Sequence, residues 1–261
     1  MLNRINYYWR LIATGSAFLL FGVGSAIMPL IAGPILFFTS SNLATRRCRA
    51  RKLVHILFRA FIKFVRIFGI LTYSVDGLEQ LQRPGILVVA NHPTLLDVVF
   101  LVACIPNADC IVKSRLLKNP VMHGIVKLTG YITNNDGEGF MRRSANSLRE
   151  GCALIMFPEG TRTANGSSFK FQRGAANIAI RTRVNPTVVI INCRPATLSK
   201  QQKWYQIPSS KFHISIKVHD ELKINHYFGI SSPLATRQLT RYMEGFFTRE
   251  VAINEQRYAR T

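Results

Sequence analysis

Ile86-Leu87-Val88-Val89-Ala90-Asn91-His92-Pro93-Thr94-Leu95-Leu96-Asp97 starts as an unbroken apolar run and ends as a polar, proline-containing turn. Leu154-Ile155-Met156-Phe157-Pro158-Glu159-Gly160-Thr161-Arg162 repeats that design further along the chain. A short apolar run without alternation, cut off by proline or glycine, reads as a strand covered on both faces. Outward from these two, further strands are expected at Tyr73–Val75, Cys110–Val112, Tyr131–Thr133, Val188–Asn192 and Phe212–Val218. Helical spacing falls between them, at Leu95–Ala103, Pro120–Leu128, Phe140–Glu150 and Ala175–Arg181, and again in the tail, Pro233–Arg260. The alternation predicts an α/β fold, a largely parallel sheet flanked by helices, over residues 71–261. In open α/β sheets ligands bind beyond the carboxyl ends of the strands. The residues that follow the two apolar runs are therefore the first candidates for chemistry.

The 261 residues suffice for a core without staples. Charged residues make up 18% of the chain and apolar residues 48%, which excludes disorder as the main state. The formal net charge of +21 calls for an anionic partner. High apolarity beside high positive charge favours an anionic membrane over nucleic acid. Cys48, Cys104, Cys110, Cys152 and Cys193 form no C-x-x-C pair and no zinc-like spacing, so reduced thiols, a reducing compartment and no metal are expected.

Residues 1–70 differ from the rest. Leu11–Thr45 carries no charge, and Leu11–Phe38 is mostly apolar. As one helix, the latter would measure about 42 Å, more than a ~30 Å hydrocarbon core requires. Pro29 and Pro34 predict a kink or break near Met28–Pro34. Arg4 and Arg10 precede the run and Arg46, Arg47, Arg49, Arg51 and Lys52 follow it, which would keep both ends on the cytoplasmic side. A membrane-associated helical hairpin satisfies these constraints, and a single tilted span is its rival. Tyr7, Tyr8 and Trp9 beside Arg10 read as an interfacial anchor. From Lys52 to Phe68 the polar positions Lys52, His55, Arg59, Lys63 and Arg66 recur at helical spacing opposite Phe58, Phe61, Phe64 and Phe68. This basic amphipathic helix suits a membrane surface or a protein core.

His92 stands at the first strand end with Asp97 about one helical turn further on. A carboxylate there can accept from Nδ1–H and leave Nε2 as a base. No serine or cysteine nucleophile accompanies the pair, which suits general-base activation of a hydroxyl supplied by a substrate; a helix-capping pair is the alternative. After the second strand, Glu159-Gly160-Thr161-Arg162 offers a glycine turn and a planar donor fork for phosphate or carboxylate. Glu159 is expected to orient Arg162 or a substrate hydroxyl. His55, His123, His213, His219 and His226 have no motif around them and read as structural or surface residues.

Together, the N-H-x₄-D element at Asn91–Asp97 and the F-P-E-G-T-R element at Phe157–Arg162 resemble the glycerolipid acyltransferase superfamily, which includes the 1-acylglycerol-3-phosphate acyltransferases. Lys113, Leu116, Pro120 and Gly124, and the run Phe171-Gln172-Arg173-Gly174-Ala175, fit the same resemblance, which covers roughly Gly77–Cys193. It implies direct acyl transfer, with acyl-CoA or acyl-carrier protein as co-substrate and no cofactor. His92 would be the general base and Asp97 its orienting partner. Asn91, Glu159, Gly160, Thr161, Arg162, Lys113 and Asn135 would bind substrate. The implied partners are membrane lipids, and the implied location is the cell inner membrane with the catalytic domain facing the cytoplasm.

One departure bears on the acceptor. Where the superfamily usually has an arginine for the acceptor phosphate, this chain has Asn134-Asn135, with Arg142 and Arg143 later at a different spacing. Lysophosphatidic acid is the default acceptor that the resemblance implies, and this departure points to the alternative, an acceptor without a phosphate. Cys193–Leu198 with Lys203-Trp204-Tyr205 and Pro208 resembles acyltransferases of bacterial aryl-polyene-type clusters. Two rivals stay open: a hydrolase in which His92 activates water, and a non-catalytic basic adaptor on the membrane surface.

Overall fold

The computed structural model describes residues 2–134, 137–163 and 169–259. Seven strands form one sheet: β1 (Leu71–Asp76), β2 (Leu87–Ala90), β3 (Ala108–Val112), β4 (Ile132–Thr133), β5 (Ala153–Met156), β6 (Pro186–Arg194) and β7 (Phe212–Glu221). Their spatial order is β1-β7-β6-β2-β5-β3-β4. Every neighbouring pair is parallel except β6 with β7.

The central strands are apolar on both sides because each face is covered. In β2, Val88 and Ala90 join one core cluster while Leu87 and Val89 join the other, and β5 divides Ile155 from Leu154 in the same way. Over the first face lie α1 (Leu2–Thr39), α2 (Leu43–Ile67), α3 (Asp97–Cys104) and α4 (Pro120–Thr129). Over the second lie α5 (Gly137–Arg149), α6 (Gly174–Thr182) and α7 (Ser232–Ala259). Leu239, Met243 and Phe247 of α7, four residues apart, are fully buried there.

The break expected near Met28–Pro34 is absent: α1 runs unbroken through Pro29 and Pro34. Ending a helix among apolar residues would strand more backbone groups than two prolines do. The chain reverses instead at the polar run Ser40–Asn42. Asn42 caps α2 by accepting from the Thr45 N–H (2.8 Å), and Arg49 donates to the Thr39 carbonyl at the end of α1. The hairpin is thus α1 with the amphipathic helix α2, not a fold within the apolar run.

Both helices are fastened to the sheet domain. Pro29 of α1 lies so close to Gly124 of α4 that a Cβ there would stand 2.7 Å from the proline ring. In α2 the aromatic face turns inward, with Phe58, Phe61, Phe64 and Phe68 packed on the core. His55 is buried too, its Nδ1 2.9 Å from the Val102 carbonyl, so the outward stripe keeps Lys52, Arg59, Lys63 and Arg66. Arg51 forms a buried ion pair with Asp109 of β3 (2.7 Å) and donates to the Thr129 carbonyl (3.1 Å). No disulfide joins the five cysteines.

Candidate active site

β2 and β5 are parallel neighbours with Val89 opposite Met156, so the segments beginning at Asn91 and Phe157 leave the sheet side by side. β6 flanks β2 and β3 flanks β5, both parallel. Four carboxyl ends therefore open in one direction, and they deliver His92, Arg162, Lys113 and the segment through Leu198 and Lys200.

His92 Nδ1 lies 2.7 Å from Asp97 Oδ2. Asp97 is fully buried and also accepts from the Thr94 N–H (2.7 Å) and the Thr94 hydroxyl (2.6 Å). It opens α3, where the helix amide dipoles favour a carboxylate. A carboxylate held this way fixes the proton on Nδ1 and leaves Nε2 as the basic nitrogen. The imidazole is backed by the Phe157 ring, with centroids 4.4 Å apart.

Glu159 does not orient Arg162. Gly160, with φ of 65° in the left-handed region, turns the chain after β5, and Glu159 Oε1 accepts the backbone N–H of His92 (2.7 Å). The Thr163 N–H returns to the His92 carbonyl (3.0 Å), so the two motif loops are stitched at His92. Burial pushes the Glu159 carboxyl above the ordinary range, against the opposing pull of Thr163 and the His92 amide. Asn91, expected to bind substrate, turns its side chain to the sheet. Its side-chain amide donates to the Ile191 carbonyl and accepts from the Ile191 N–H, both at 2.7 Å, and locks the end of β2 to β6.

Arg162 donates through Nη1 to the Leu198 carbonyl (2.7 Å) and the Ser199 carbonyl (3.0 Å), contacts that leave the rest of its donor fork unused. The Leu198 carbonyl also takes the Leu95 N–H (3.1 Å), which ties the β6–β7 loop to the histidine motif. Lys113, Arg115, Arg162 and Lys200 line one cavity together with His92, Gly160 and Thr161. Burial, then Arg115 and Lys200, hold the Lys113 amine below the usual lysine range. Asn134 lines the same cavity and accepts from the Ser114 N–H (3.3 Å), whereas Asn135 falls outside the described residues. Neither later arginine takes the vacant position: Arg143 donates to the Thr133 carbonyl (3.3 Å), and Arg142 shares a separate pocket with Arg181. Lys200 escaped sequence reading because only the sheet order brings its loop beside Arg162.

The cavity measures about 830 Å³. From His92 and the cations it continues between α1, α2 and α4, along Ala17, Phe18, Phe21, Gly22, Phe58, Phe61 and Ile125. Its lining thus combines cations, hydrocarbon from three helices and the His92 imidazole.

The acyltransferase family model matches residues 72–194, the part of the chain that carries both motifs. Over those residues the chain is similar to the acyltransferase family, and its matched relatives support the glycerolipid acyltransferase superfamily. It is 34% identical over 132 residues to a 1-acyl-sn-glycerol-3-phosphate acyltransferase of Helicobacter pylori, a match covering 47% of this chain and 56% of that protein. It is 27% identical over 143 residues to a chloroplastic 1-acyl-sn-glycerol-3-phosphate acyltransferase of Arabidopsis thaliana, covering 51% of this chain and 39% of the relative. The chain thus spans about half the length of these superfamily members, or less. The crystal structure of the 1-acyl-sn-glycerophosphate (LPA) acyltransferase PlsC from Thermotoga maritima superposes with a TM-score of 0.69 at 21% identity, over 97% of this chain and 98% of that one, and shows a shared fold.

Proposed function

We propose that this protein is a membrane-bound O-acyltransferase that moves a fatty acyl group from acyl-CoA or acyl-carrier protein to the hydroxyl of a phosphate-bearing glycerolipid, with lysophosphatidic acid as the default acceptor. The observation that carries this reading is the His92–Asp97 pair, with His92 in a cavity lined both by apolar side chains and by Lys113, Arg115, Arg162 and Lys200. A hydrocarbon chain suits the apolar lining and a phosphate suits the cations.

In the proposed step, His92 Nε2 takes the proton of the acceptor hydroxyl as its oxygen attacks the thioester carbonyl carbon. Asp97 stabilises the imidazolium that forms. The tetrahedral intermediate collapses with loss of the C–S bond, and His92 returns the proton to the departing thiolate. An ester and a free thiol result, with no acyl-enzyme. Arg162 and Lys113 would hold the acceptor phosphate. Arg115 and Lys200 supply the charge that Asn134-Asn135 does not, which favours a phosphate acceptor over the phosphate-free one that the missing arginine suggests.

The lipid location rests on α1. One face of it, including Ile12, Leu19, Leu30 (74% exposed) and Phe38 (84% exposed), is bare hydrocarbon surface. The opposite face, Arg10, Ala13, Thr14, Ala17, Ser25 and Ala32, is buried along most of its length. A helix covered by protein on one side for so long suits burial in a single leaflet better than a crossing. Arg4 near the start of α1, Arg46, Arg47 and Arg49 in the first turns of α2 and the outward stripe of α2 favour the cytoplasmic leaflet of the inner membrane.

The test is an acceptor panel in nanodiscs with labelled donor. Lysophosphatidic acid should outpace the matched neutral monoacylglycerol, and Arg115→Gln/Lys200→Gln should raise its KM about tenfold or more, the loss of one to two charge-assisted contacts. Equal rates for the two acceptors, with KM unmoved in the double variant, would refute the phosphate site.

A further inference from the structure

The β6–β7 loop, residues 195–211, reaches back across the site to α1. Trp204 packs on the helix: a Cβ at Gly15 would stand 3.4 Å from its indole, and its ring centroid lies 6.0 Å from that of Phe18. Buried Arg10 of α1 holds the same loop by donating to the Pro208 and Ser209 carbonyls. Yet Trp204 is 46% exposed and Tyr205 45% exposed, their rings edge to face at 5.6 Å. Ile12 and Leu19 border Gly15 on α1, so these aromatics continue that helix's bare apolar surface. Lys203 sits over the Tyr205 ring, 5.6 Å from its centroid, and Lys200 and Lys211 are exposed as well. No acidic residue occurs between 195 and 211.

Half-exposed Trp and Tyr side chains among lysines, next to a hydrocarbon surface, match the region where bilayer headgroups meet acyl chains. We infer that the loop 195–211 is a second membrane contact, with Trp204 and Tyr205 seated in the headgroup layer of an anionic bilayer and the lysines on lipid phosphates. The carbonyls that hold Arg162, those of Leu198 and Ser199, belong to the same loop. Seating on the bilayer therefore fixes the cationic mouth of the cavity at the height of lipid headgroups. The inference rests on the reading of α1 as membrane-embedded, and the two tryptophans of the chain separate the two claims.

Trp9→Phe leaves Trp204 as the sole indole, and Trp204→Phe leaves Trp9. Each full-length variant is reconstituted with vesicles of phosphatidylcholine and phosphatidylglycerol in which the phosphatidylcholine is brominated either high or low on its acyl chains. Trp204 emission should fall at least twofold with shallow bromine, fall less with deep bromine, and resist aqueous iodide. Lys203→Glu/Lys211→Glu in the Trp9→Phe background should weaken that quenching in anionic vesicles. Trp204 quenched by iodide and untouched by bromine, with Trp9 quenched by bromine, would overturn the loop contact and leave α1 embedded. Bromine quenching of neither indole would overturn both.

Discussion

At the residue scale, function depends on which atom each polar group spends on its neighbours. Asp97 spends both oxygens locally, on His92 and Thr94, so its role is to hold the imidazole. Asp97→Asn replaces an acceptor with a group whose amide can reverse the histidine tautomer. It should lower kcat by about 10²-fold or more with little change in KM, read from initial rates. Lys113 gives a pH signature. Its proton is held less tightly than in an ordinary lysine, because of burial and the neighbouring cations. Phosphate binding needs the ammonium form, so KM for the acceptor should climb as pH rises through that lowered pKa. Lys113→Arg should keep KM flat over the same alkaline interval. His92, Asp97 and Arg162 are legible in sequence because a proline or a glycine turn marks where a strand hands over to chemistry. The local partners of Asn91 and Glu159 were not, since each bonds to backbone that arrives from a distant strand.

At the element scale, the central strands are legible because unalternating apolar runs have no other comfortable place. The course of α1 is not: proline weakens a helix by a local rule, while the cost of ending one among apolar residues depends on its surroundings. α1 also forms a wall of the hydrocarbon cavity. A Cβ at Gly22 meets nothing within 4 Å, and the residue lines that cavity. Gly22→Leu should therefore shift donor preference toward shorter acyl chains, measured as relative kcat/KM across a donor series, each lost buried methylene being worth about 0.8 kcal/mol. α2 is keyed to the sheet by Arg51 and Asp109. Asp109→Asn leaves a buried guanidinium without its counter-charge and should cost roughly 3–5 kcal/mol in detergent-phase unfolding.

At the scale of the whole molecule, a net charge of +21 and a bare hydrocarbon face on α1 act together. On the proposed reading, attraction to anionic lipid would bring the protein to the bilayer and apolar insertion would retain it. Partition onto phosphatidylglycerol vesicles should weaken as ionic strength rises without vanishing, because salt screens only the first contribution. Composition made this pairing visible, but which helix face meets lipid depends on tertiary packing. The central claim, that His92 drives direct acyl transfer in the cavity, is tested most directly by single-turnover reaction of nanodisc-embedded protein. Labelled acyl thioester and lysophosphatidic acid are supplied to wild type and to His92→Ala, and product and protein are resolved by mass spectrometry. The account predicts diacyl product from wild type, about 10²–10⁴-fold slower formation in the variant, and no acylated protein in either. A wild-type rate in His92→Ala, or an acyl group found on the protein, would contradict it.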